Sequence, residues 1–179
     1  MLSLFWKVVK NRNTVLPTKF FSSTEDTTIV GKKLDDKVRK LFKGSLAIRE
    51  VAAGSDNSVE QELTALTNSY YDVERYGIHF VASPKHADML MVSGPVSRNM
   101  VHALKVAYNN LPNPKIVVAV GDGAINGGVY KGSYATVDGV KNVIPVNFEI
   151  PGDPPSPKTI INSLLHILEI VESKEEESK

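Results

Sequence analysis

The sequence predicts a three-layer α/β fold with a mainly parallel sheet. Two nearly continuous apolar runs, 88–93 (DMLMVS) and 115–120 (KIVVAV), are suited to strands covered on both faces. Helical stripes alternate with strand candidates along the chain, and the connections between them are rich in Gly and Pro. That alternation favours helices on both sides of one sheet. The 179 residues form one domain plus tails, and 42% hydrophobic content is ordinary for a globular core.

In order, 32–43 (KKLDDKVRKLFK) places Leu34, Val38, Leu41 and Phe42 on one helical face, and Gly44 ends that helix. Strands are expected at 45–51, 78–82, 88–93, 115–120 and 143–148. Helices are expected at 57–67, 97–109 and 157–173. For 97–109 the cap is Ser97, with Met100, Val101, Leu104 and Tyr108 toward the sheet. For 157–173, Ser156 caps and Pro157 takes the first helical position, and Ile160, Ile161, Leu164, Leu165 and Leu168 are the buried stripe. The expected divisions are 1–43, a basic amphipathic extension and helix; 44–172, the α/β domain; and 173–179, a charged tail.

The first 24 residues contain no acid. Trp6, Lys7, Lys10 and Arg12 sit there among Leu2, Leu4, Phe5, Val8 and Val9. The first reading is an amphipathic segment lying on a membrane or a membrane-bound partner. A mitochondrial presequence and a disordered tail are the alternatives.

Composition excludes several chemistries. With no cysteine there is no disulfide, thiolate nucleophile or thiolate metal site. The formal net charge of +1 provides no pull toward nucleic acid, and no apolar run approaches a bilayer span of about 20 residues. Hydrolase triads lack support, because His79, His86, His102 and His166 are scattered and no GxSxG occurs.

Ligands of an open parallel sheet bind beyond the carboxyl ends of its strands. There the chain has AAGSDNSVEQE (52–62), SGPVSRN (93–99), GDGAINGG (121–128) and PGDPP (151–155). GDGAINGG is an imperfect dinucleotide fingerprint: Asn126 stands at the third glycine position, and the glycines that follow argue against a helix directly after it.

These loops carry a resemblance. GSLAIREVAAGSDNS (44–58), YYDVERYGIHFVASPKHADMLMVSGPVSRNM (70–100), PNPKIVVAVGDGAINGGVYKGSYATVDGV (112–140) and VIPVNFEIPGDPPSP (143–157) resemble the small, cluster-binding subunit of group 4 nickel–iron hydrogenases and formate hydrogenlyase. That subunit is related to the B-type (PSST, 20 kDa) subunit of complex I. The resemblance implies a flavodoxin-like fold. It also implies partners: a large hydrogenase-like or complex I D-type (49 kDa)-like subunit, and membrane-arm subunits of H-type-like and antiporter-like kind. The expected location is peripheral, on the cytoplasmic face of the inner (plasma) membrane.

Family members hold one 4Fe–4S cluster through cysteines in patterns resembling GSCxxC, GDC and PGCPP. Those positions are Asp56, Val59, Gly123 and Asp153 here. Iron–sulfur cores need thiolates, with histidine an occasional substitute. The expectation is therefore a cluster-less subunit without redox activity of its own, serving as docking and coupling scaffold. Two alternatives stand beside it. One is a soluble binding module whose acidic edge (Asp56, Glu60, Asp122, Asp153) takes a metal or small ligand; against this stands a site collapsed into polar loops, with Arg98, Lys131 or a partner as counter-charge. The other is a cavity-lining subunit of a redox-active NADH:quinone oxidoreductase-like complex.

Overall fold

The computed structural model describes residues 27–177. The basic start with Trp6, Lys7, Lys10 and Arg12 lies outside the described residues. In chain order the main elements are α1 (Thr27–Phe42), β1 (Leu46–Ala52), α2 (Ser58–Ala65), β2 (Ile78–Phe80) and β3 (Met89–Ser93). Then come α3 (Met100–Asn110), β4 (Ile116–Val120), α4 (Asp122–Asn126), β5 (Phe148–Ile150) and α5 (Pro157–Glu177).

All five strands are parallel, in the order β2-β1-β3-β4-β5. This is the doubly wound order of flavodoxin-like folds, with its switch point between β1 and β3. The register sets Ala52 opposite Ser93 and Ser93 opposite Val120, so three strands end side by side at one edge. Every residue of β3 and β4 is buried, the outcome expected of strands covered on both faces.

Two cores follow from the alternation of side chains. Ile48, Met89, Met91 and Val118 join Leu34 and Val38 of α1, Val59 and Leu63 of α2, and Ile160, Leu164 and Leu168 of α5. Leu90, Val92, Val117 and Ala119 face the other way, onto Leu104 of α3, Ala124 of α4, and Val140 and Ile144. Among the described residues no helix is long and apolar enough to cross a membrane.

Several local expectations hold. Gly44, at φ 99°, closes α1 by donating to the Val38 carbonyl. Ser156 caps α5, its Oγ accepting from the Thr159 N–H at 3.3 Å. Others shift. Helix α1 begins at Thr27, upstream of the expected 32, and buries Val30 in the same stripe. Ser97 does not cap α3: the helix starts at Met100, two residues later than a Ser97 cap requires, and Asn99 holds the N-cap position with no side-chain cap bond. Helix α5 continues to Glu177, past the expected end at 173.

The last strand is displaced from 143–148 to Phe148–Ile150. Pro145 has no N–H to give to a ladder. Asn147 takes its place at the sheet edge, accepting from the Val117 N–H through its side chain at 2.8 Å and donating its own N–H to the Val117 carbonyl at 2.9 Å. Regular pairing begins only at the next residue.

Helices α1 and α5 are clamped by Glu172, which accepts from both Lys37 and Lys40 and is only 9% exposed. The hydrogen bonds from Lys37, then Lys40, hold its carboxyl below the usual glutamate range. A depressed carboxylate contributes stability above its unfolded pKa of about 4.3 and loses it as the pH falls through the lower folded value. Glu172→Gln should therefore unfold at lower temperature than the parent at pH 7, with the difference shrinking in acid, as thermal melts across pH will read.

Candidate functional site

The carboxyl ends of β1, β3, β4 and β5 bring four loops together. A small cavity between them is lined by Asp56, Val59, Gly94, Pro95, Gly123 and Asp153, with Gly127, Gly128, Val129 and Tyr130 closing one side. All four positions of the expected cysteine pattern thus face one space, beside the switch point between β1 and β3. That space measures about 20 Å³, room for about one water molecule.

Its smallness has two causes. Val59, on the first turn of α2, is 5% exposed and belongs to the apolar core. A Cβ on the neighbouring Gly121 would stand 2.9 Å from its Cγ2. Gly123 is the second cause. A Cβ there would lie 2.6 Å from the Gly94 carbonyl oxygen and 3.1 Å from the Pro95 nitrogen. Gly94 is equally confined, since its Cβ would meet the Ala124 Cα at 2.8 Å. The loops after β3 and β4 touch backbone to backbone, leaving no volume for a side chain at 123.

Three of the four acids of the candidate edge are engaged separately. Asp56 is exposed and accepts from the Ser58 Oγ at 2.6 Å and the Ser58 N–H at 3.0 Å, bonds that hold its carboxyl below the ordinary range. Asp122 ties two loops, its Oδ1 accepting from the Gly152 N–H at 3.1 Å while its own N–H donates to the Gly152 carbonyl at 2.8 Å. Glu60 turns inward, its Oε1 accepting from the Ser55 and Ser93 hydroxyls. Asp153 is exposed at the rim. Cavity lining unites Asp56 and Asp153 but neither Glu60 nor Asp122. Among the described residues no three His, Cys, Asp or Glu side chains are grouped to hold a metal ion. Arg98 gives its Nε–H to the Tyr134 carbonyl at 2.6 Å, and Lys131 is exposed.

After Gly127 comes only a 3-10 turn, Gly128–Tyr130, as the glycines imply; the short α-helix here, α4, lies inside GDGAINGG, is five residues long and is ended by Gly127 at φ 96°. It is too short to sum a useful dipole, and its first residue, Asp122, sets a carboxylate where a phosphate would approach.

The sequence reading missed Ser93, Ser55 and Glu50 as polar groups beneath the site. A signal existed: Ser93 ends an otherwise apolar strand, and Glu50 shares the sheet face of Leu46 and Ile48. It also missed the closure of Gly94 on Gly123, which no local pattern announces.

Residues 57–167 match the family model described as NADH ubiquinone oxidoreductase, 20 kDa subunit. The chain belongs to this family. An uncharacterized protein of Methanocaldococcus jannaschii is 42% identical over 131 residues, 73% of this chain and 88% of that protein. A Pyrococcus furiosus protein named probable membrane-bound hydrogenase subunit mbhJ is 36% identical over 141 residues, 77% of this chain and 84% of its own. Among solved structures, the membrane-bound sulfane sulfur reductase, an archaeal respiratory membrane complex, contains a chain with TM-score 0.66 and 30% identity. It matches 79% of this chain and 77% of that one. An NAD+-reducing nickel–iron hydrogenase, 17% identical at TM-score 0.54 over 69% of this chain and 91% of the other, shares the fold.

The iron–sulfur cluster implied by that kinship does not fit the residues present. Val59 and Gly123 have no side-chain donor, Asp56 and Asp153 offer hard oxygens, and the cavity holds little more than a water.

The closure at 123 has a measurable sign. Gly→Ala at a compatible backbone position typically stabilises by about 0.4–1 kcal/mol, and Gly123 lacks the positive φ that would forbid alanine. Gly123→Ala should instead destabilise by about 1–3 kcal/mol, the usual cost of overpacking, as read by urea unfolding.

Proposed function

We propose that the protein is a cluster-less subunit of a membrane-bound assembly related to complex I and group 4 hydrogenases. In it the chain serves as docking and coupling scaffold between a large hydrophilic subunit and the ion-translocating membrane arm. The observation carrying this reading is the pairing of a retained family fold with a filled site: Val59 in the core and Gly123 against Gly94 stand where the family's sulfur ligands would be. Electrons need a carrier with accessible potentials, and aliphatic or carboxylate side chains provide none. The subunit accordingly has no redox step of its own.

The rim supports docking. Val129, Tyr130 and Tyr134 are 86%, 50% and 90% exposed on the loop that closes the cavity. Such apolar and aromatic groups are what a partner surface desolvates. The large subunit, of hydrogenase or D-type (49 kDa) kind, is the partner assigned to this edge. Peripheral attachment on the cytoplasmic face, with the basic, apolar start meeting the H-type-like and antiporter-like arm, completes the proposal. Relatives named as a membrane-bound hydrogenase subunit and an F420H2 dehydrogenase subunit agree with membership of such an assembly. The acidic binding module is less favoured, because Asp56, Asp122 and Glu60 each have separate partners.

Affinity purification of the full chain from detergent-solubilised native membranes tests this. The expected result is co-purification with a large hydrogenase-like or D-type-like subunit and antiporter-like membrane subunits, weakened by Tyr134→Asp. Recovery of the chain alone from the soluble fraction would overturn it.

A further inference from the structure

Beneath the loop edge lies a second feature that the scaffold role does not use. Glu50 lies on β1 and, by alternation, on the same face as Leu46 and Ile48. Ser93, at the end of β3, shares that face with Met89 and Met91 and is fully buried. Helix α2 covers this face through Val59 and Leu63, and its first turn brings in Glu60. Glu50 pairs with Met91, two residues before Ser93 on the neighbouring strand, so the two carboxyls belong to the same face of the sheet, Glu60 through its bond to Ser93.

Their hydrogen bonding is incomplete. Glu60 Oε1 accepts from the Ser55 and Ser93 hydroxyls, which fixes the orientation of the side chain. Glu60 Oε2 is buried and, among the described residues, has no hydrogen-bond partner. A buried acceptor without a donor is costly, more so when charged. The missing part is one O–H.

We propose that Glu50 and Glu60 together bind a single proton, taken up as the carboxylic acid of Glu50 and directed to Oε2 of Glu60. A protonated carboxyl is a donor where a carboxylate is not. Uptake forms one O–H bond on Glu50 and changes no other bond, with the proton coming from solvent or from a partner. The charged groups acting on Glu50 are few: Glu60 on α2 opposes its ionisation, and Arg49 beside it on β1 favours it. Burial is the larger influence, and with Glu60 it pushes the Glu50 carboxyl above the usual range. Ser55 belongs to the loop that carries Asp56, and Ser93 precedes Gly94. The proton thus sits where β1, β3 and the rim are tied together. This site stands independently of the assembly proposed above.

A carboxyl raised in the fold contributes stability at low pH and loses it as the pH rises through its folded midpoint. Carbon-13 NMR titration of the glutamate carboxyls in the full-length protein, compared with Glu60→Gln, provides the test. Glu50 is expected to titrate above the free-glutamate value of about 4.3 in the parent, and to move down in Glu60→Gln. Glu50→Gln should fold and lose the decline in stability above that midpoint. A Glu50 midpoint at or below the free value in the parent overturns the proposal without any variant. An elevated midpoint unmoved by Glu60→Gln would overturn the sharing.

Discussion

The close contact between Gly94 and Gly123 governs the rest of the site. Two parallel strands end at the same level, and the loops leaving them meet with no side chain between. Once the 2.6 Å approach from a Cβ at 123 to the Gly94 carbonyl is set by backbone, position 123 can hold only hydrogen. Val59 then completes an apolar floor instead of a polar opening. What remains is a cavity of about 20 Å³ with acids at its lip, too small for a cluster and too dispersed for a metal.

This arrangement separates two things that the fold usually delivers together. The doubly wound order places a crevice at the β1/β3 switch point regardless of what occupies it. Chemistry depends on the side chains that reach into the crevice, and fold does not supply them. Here the crevice is kept and its rim presents Val129, Tyr130 and Tyr134 to the outside. A protein surface, more than a small ligand, is the natural complement of such a rim.

Much of this was legible in the chain because its strongest signals are periodic. The unbroken runs in β3 and β4 and the stripe of α5 each report burial directly, and their strands and helix lie within a few residues of expectation. Failures cluster where a single residue changes the hydrogen-bonding plan. Pro145 and Asn147 move the start of β5, and α3 begins at Met100 with Asn99, not Ser97, at the cap position. The short turn of α4 after Gly121 was missed because glycine-rich sequence weighs against helix, although five residues suffice for the connection. The candidate site shows the same division. The family resemblance implied that Asp56, Val59, Gly123 and Asp153 share one site, and they line one cavity in the fold. Which hydroxyl or amide each acid would find, and that Glu60 would turn inward to Ser93, depends on three-dimensional neighbours that no spacing encodes.

The most direct test of the central claim is anaerobic reconstitution of the full-length protein with iron and sulfide, followed by iron and acid-labile sulfide analysis and electron paramagnetic resonance after reduction. The filled site predicts no bound iron or sulfide above background and no signal from a reduced cubane. One cluster's worth of iron and sulfide on each chain, with that signal, would contradict it.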